Sequence, residues 1–66
     1  MADLIPRQPP TLDEQIASVE REIVMRARVY PAWVRSGRMS QAKADHERAC
    51  MEQVLTTLQG LKGTTR

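Results

Sequence analysis

Apolar side chains recur at steps of three and four from residue 12 onward. Leu12, Ile16, Val19, Ile23, Ala27 and Tyr30 form one stripe, and Glu14, Arg21, Glu22 and Arg28 fall off it. This period predicts an amphipathic helix with one side to bury. Its start is written in "TLDE", where the Thr11 hydroxyl can accept from the amide three residues on while Glu14 reaches back to the Thr11 amide. Asp13 and Glu14 also put negative charge on the positive end of the helix dipole. The expected span is Thr11 to Ser36. Pro31 leaves two readings open, since it lacks an amide hydrogen for the carbonyl of Ala27 and crowds that turn. Either the helix continues with a bend, or it stops near Val29 and restarts with Pro31 in its first turn. Trp33 and Val34 keep the apolar spacing, which favours continuation. Gly37 is the natural stop, because glycine enters the left-handed region without steric cost.

Ser40 then caps a second helix, expected from Gln41 to Gln59 and ended by Gly60. Ala44, Met51, Leu55 and Leu58 lie on one face, with Cys50 and Val54 widening it. Residues 1–10, "MADLIPRQPP", carry three prolines and no apolar period, and read as a flexible arm. Residues 61–66 read as a frayed tail, which leaves 11–60 as the structured unit. A connection as short as "GRM" lays the two helices side by side and antiparallel.

The expected fold class is therefore all-α, an antiparallel helical hairpin, and its size adds a second expectation. Chains below about 70 to 80 residues usually need a disulfide, a metal or a partner copy to stabilise one core. This one has 66 residues and a single cysteine. Cys50 with the single His46 gives too few soft ligands for a closed zinc site, so no metal or cofactor is expected. Pairing remains. Left alone, the hairpin would leave Ile16, Ile23, Met51 and Leu58 wet, each forfeiting roughly 1.5 to 3 kcal/mol. A homodimer forming a four-helix bundle, with Ile16, Val19, Ile23, Met51, Leu55 and Leu58 in its core, would bury them. No apolar run approaches the roughly 20 residues of a membrane span, and the start lacks the pattern of a signal peptide, so a cytoplasmic protein is expected.

The net charge of +2 is small, but its distribution is uneven. Between Glu22 and Asp45 stand Arg26, Arg28, Arg35, Arg38 and Lys43 with no acidic residue among them. The hairpin gathers part of this set at its turn, near Tyr30 and Trp33. Arginine beside aromatic residues suits acidic protein surfaces, interface hot spots and nucleic-acid backbones. The candidate partner-binding set is Arg28, Tyr30, Trp33, Arg35, Arg38 and Lys43. The plainer alternative is that the arginines solvate the hairpin end while Tyr30 and Trp33 close the core. A helix-turn-helix is disfavoured: Trp33 occupies the position that needs a small residue, Lys43 and His46 stand where apolar groups would face the first helix, and no third helix remains. His46 and Cys50 share a helix face, but no orienting third group or oxyanion site accompanies them, and a buried cysteine beside a surface histidine is the simpler reading. Glu20, Glu22, Glu47 and Glu52 read as helix-surface pairing partners. No catalytic residue is assigned.

The stretch "REIVMRARVYPAWVRSGRMSQAKADHERACMEQVL" resembles a group of small proteins encoded in tailed bacteriophages and prophages of proteobacteria. In that group an "MRxRVYPxWV" segment precedes "GRM", then "QAKAD", then a helix rich in Glu and Met. The resemblance covers about residues 20 to 55. It implies context, since small early proteins of such phages often bind and redirect a host protein. It carries over no site. The joint expectation is a regulator that binds a host protein, with a nucleic-acid-binding accessory protein as the alternative.

Overall fold

Both ends of the first helix are fixed by local hydrogen bonds. A computed structural model of the chain describes residues 8–64, so the flexible arm expected over 1–10 and the tail lie partly outside the described residues. At the N-terminus of α1 (Leu12–Arg35) the Thr11 amide donates to Glu14 Oε1 at 2.8 Å, and the Glu14 amide donates to Thr11 Oγ1 at 3.1 Å. Two donors that the helix cannot satisfy internally are thereby paired. At the other end Gly37 has φ of +81°, its amide donates to the Val34 carbonyl at 3.2 Å, and the Arg38 amide donates to the Trp33 carbonyl at 2.9 Å. This pair of bonds turns the chain out of the helix and satisfies two terminal carbonyls. Pro31 stays inside α1, which continues to Arg35 instead of stopping near Val29.

Removing the Thr11 hydroxyl should therefore cost stability from outside the core. Thr11→Ala is expected to destabilise by about 1 kcal/mol, and Thr11→Ser to retain most of that. Urea unfolding followed by helical circular dichroism is the measurement; equal midpoints for the wild type and Thr11→Ala would show that the cap does not form.

The second helix starts where expected and ends later. Ser40 Oγ accepts from the Lys43 amide at 3.0 Å, and α2 spans Gln41–Thr64. The expected stop at Gly60 is corrected, as is the frayed tail over its first residues. Among the described residues only Gly37 takes the left-handed conformation, so Gly60 and Gly63 stay helical. The added turn carries Lys62, whose ammonium donates to Asp13 Oδ1 at 2.8 Å and ties the last turn of α2 to the first turn of α1. That hydrogen bond, reinforced by the charges of Asp13 and then Glu20, holds the Lys62 pKa above its usual value.

Two antiparallel helices side by side form one layer, 13 Å in its thinnest dimension. Among the described apolar residues only Ile16, Tyr30 and Ala44 are buried. Leu12, Val19, Ile23, Val34, Met51, Leu55 and Leu58 are half-buried along the seam. Two expectations change here. Ile16 is covered within one hairpin and is not left wet, and Ala27, expected on the buried stripe, is exposed. Ala27 borders a gap of about 90 Å³ between the helices, lined also by Tyr30, Pro31 and Ala44, where small side chains leave the seam incompletely filled.

Candidate interaction surface at the hairpin turn

The basic and aromatic residues that cluster in sequence are divided by the helix between two sides. An α-helix turns about 100° per residue, so Arg28 lies about 140° and Arg35 about 160° round α1 from Trp33. Trp33 falls two heptads after Val19 and shares its side of the hairpin, because the drift is only about 20° per heptad. Lys43 on α2 precedes Val54 by eleven residues, nearly three whole turns, and shares the side of Val54. Val19 and Val54 line one groove, which puts Trp33 and Lys43 on the same side. Arg38 sits in the turn itself.

The two aromatic residues divide the work. Tyr30 is buried, so its place in the expected partner-binding set is corrected to a structural one. Its hydroxyl accepts from Arg26 Nη1 at 3.2 Å, and Arg26 Nε donates to Glu22 Oε1 at 3.2 Å. These bonds, the one to Glu22 first, raise the Arg26 pKa and fix the side chain against the turn half of α1. Trp33 remains 38% exposed, with its ring centroid 5.9 Å from that of Tyr30 and tilted by 39°. The buried tyrosine thus backs the exposed indole, a rigid anchor of the kind that concentrates binding energy.

Charge at this end is only partly neutralised. Lys43 pairs with Glu47 at 3.5 Å, one turn along α2. Among the described residues, no carboxylate comes within ion-pair distance of Arg28, Arg35 or Arg38, and all three are exposed. Arg35, in the last turn of α1, also favours the negative end of the helix dipole. The arrangement offers three guanidinium groups without an ion-pair partner among the described residues, a half-exposed indole and a lysine.

A second feature lies on the back of α2. Cys50 Sγ and His46 Nε2 are 3.5 Å apart, and both residues are exposed, which corrects the expected buried cysteine. Among the described residues no group of three or more His, Cys, Asp and Glu side chains could hold a metal ion. Lys43 and His46 both face solvent, as the sequence argument against a helix-turn-helix required. Glu22, Glu47 and Glu52 pair one turn away with Arg26, Lys43 and Arg48, and Glu52 does so only at 4.0 Å. No described helix is long and apolar enough to cross a membrane.

Sequence reasoning missed the division into sides, although the spacing carried it. The heptad steps Val19, Arg26, Trp33 and the steps Cys50, Val54, Leu61 can both be read from the chain. No protein-family model, curated protein or solved structure matches this sequence.

Proposed function

We propose that this chain is a small protein-binding regulator, encoded by a phage or prophage, that engages an acidic surface of a host protein through the turn end of its hairpin. The observation that carries the reading is that Arg35 and Arg38, exposed and without a carboxylate partner among the described residues, stand at the same end of the hairpin as a half-exposed Trp33 that Tyr30 supports. Trp33 and Lys43 on one side and Arg38 in the turn supply the contacts, and Arg35 and Arg28, on the other side of α1, add to the field. Arginine fits carboxylates with paired hydrogen bonds, and the indole supplies apolar area at low entropic cost. The action is binding, with no catalytic step and no cofactor, in the bacterial cytoplasm. Two copies work together as a homodimer in a four-helix arrangement, a reading supported by the one-layer hairpin and by Val19, Ile23, Met51, Leu55 and Leu58 being only half covered.

The same free arginines support a second reading, contact with nucleic-acid phosphates. Salt separates the two, because each neutralised phosphate steepens the fall of affinity with salt. The expected result is no binding of duplex or single-stranded DNA even at low salt, together with recovery of one host protein from lysate. Arg35→Glu with Arg38→Glu should weaken that recovery at least about tenfold, or about 1.4 kcal/mol. DNA binding with a steep salt slope, lost in the same variant, would establish the second reading instead.

A further inference from the structure

The seam and the turn make no use of one chemically distinct pair of side chains, His46 and Cys50 on the back of α2. They stand four residues apart and so stack one turn above the other on a single helix face. His46 lies about 160° round α2 from the buried Ala44, which turns the pair away from α1. Both side chains are exposed, and so are their neighbours on this face, Ala42 and Ala49, which are only a methyl group long. An ion in solvent therefore reaches sulfur and nitrogen without displacing anything. Lys43, one turn before His46, has its ammonium 3.5 Å from a Glu47 carboxylate oxygen, so the cation beside the pair is already partnered.

The separation of the two atoms identifies what they suit. Zinc binds thiolate sulfur at about 2.3 Å and imidazole nitrogen at about 2.0 to 2.1 Å, in tetrahedral geometry. Two ligands at those lengths stand about 3.5 to 3.6 Å apart across the tetrahedral angle. Cys50 Sγ and His46 Nε2 are 3.5 Å apart. The helix thus holds one thiol and one imidazole at the spacing that the ion requires, before any ion arrives. Hard cations such as magnesium and calcium take oxygen ligands, which this pair does not offer.

We infer that His46 and Cys50 form an open chelate for zinc on the back of α2, with Cys50 Sγ and His46 Nε2 as two ligands and water in the two remaining tetrahedral positions. Two protein ligands do not close a site, and among the described residues no third metal-ligating side chain joins them. Uptake is an exchange in which the Cys50 S–H bond breaks, the Zn–S and Zn–N bonds form, the proton passes to solvent and no electron is transferred. The pairing belongs to the helix, because four residues of extended chain span up to about 13 to 14 Å. Zinc therefore binds folded α2 more tightly than the unfolded chain and acts as a clip across one turn. The site is independent of the protein-binding reading, since neither residue is among the contacts assigned to the turn end.

Cobalt(II), which accepts the same tetrahedral ligands and reports them by colour, is the probe. The full chain, reduced with a phosphine and freed of metal, is titrated with cobalt(II) at neutral pH and then with zinc. The expected result is a sulfur-to-cobalt charge-transfer band that saturates at one metal per chain and is bleached by zinc, with a zinc dissociation constant on the order of 10 µM for half of a four-ligand site. His46→Ala and Cys50→Ser should each weaken zinc binding by at least about tenfold. Cys50→His, which keeps two ligands one turn apart, should keep zinc and lose the band. Both positions are exposed, so the variants should keep the fold, and circular dichroism checks it. In urea unfolding, zinc at about ten times its dissociation constant should raise the folded-to-unfolded ratio of the wild type by up to about elevenfold and leave Cys50→Ser unmoved. Absence of the band would overturn the site. So would His46→Ala binding zinc as tightly as the wild type, which would mean an adventitious ion only, held by the thiol alone. Saturation at one metal per two chains would overturn the open form, since a second copy would then hold the positions given to water.

Discussion

Ile16→Ala should leave the chain largely unfolded at room temperature. Among the described residues Ile16 is one of three buried apolar side chains and the only large aliphatic of the three, seated where the first turns of α1 meet the last turns of α2. Truncating a buried isoleucine costs about 2 to 5 kcal/mol, the range reflecting how far the site can collapse. Whole domains are stable by only about 5 to 15 kcal/mol, and a 66-residue hairpin belongs at the low end. A loss of that size removes most or all of the folded population. Val24→Ala makes the control, because Val24 is exposed and substitution there should stay within about 0.5 kcal/mol. Helical signal as a function of temperature distinguishes them. If Ile16→Ala melted with the wild type, the seam described for the open end would be wrong, and with it the groove that borders it.

The parts of this fold legible in the sequence are those fixed by neighbours along the chain. Thr11 with Glu14, Gly37 and Ser40 each act within three or four residues, so side-chain chemistry names the helix ends directly. The hairpin follows, because a short connection leaves two helices no other place. Tertiary partners decided the rest. Gly60 looked like a stop because glycine favours one, yet Lys62 finds Asp13 across the hairpin and the last turn stays helical. Tyr30 and Trp33, three residues apart, looked like one aromatic surface, yet the seam takes Tyr30 and leaves the indole half in water. The basic cluster was legible as a composition and not as a surface, since helical rotation carries Arg28 and Arg35 to a different side from Trp33. What is left of it at the turn is smaller than the sequence suggested and better defined: an indole, a lysine already paired one turn along, and arginines without carboxylate partners.

The two glycines Gly37 and Gly60 should respond to alanine with opposite signs, which makes the pair a sensitive check on the whole description. Both have open space where a Cβ would go, so neither substitution meets a steric neighbour and both effects come from the backbone alone. Gly37 has φ of +81°, where an alanine Cβ crowds its own carbonyl at a cost of about 1 to 2 kcal/mol. Forced out of that region, residue 37 could not keep both its own bond to the Val34 carbonyl and the Arg38 bond to the Trp33 carbonyl. The turn that makes the hairpin antiparallel would loosen with it. Gly60 lies inside α2, where glycine costs about 0.5 to 1 kcal/mol relative to alanine because it gives up more freedom on folding. Gly60→Ala should therefore stabilise by about that amount. Urea midpoints should move down for Gly37→Ala and up for Gly60→Ala with slopes unchanged, since neither alters the surface exposed on unfolding. A lower midpoint for Gly60→Ala would mean that α2 ends at Gly60 after all, which would release Lys62 from Asp13.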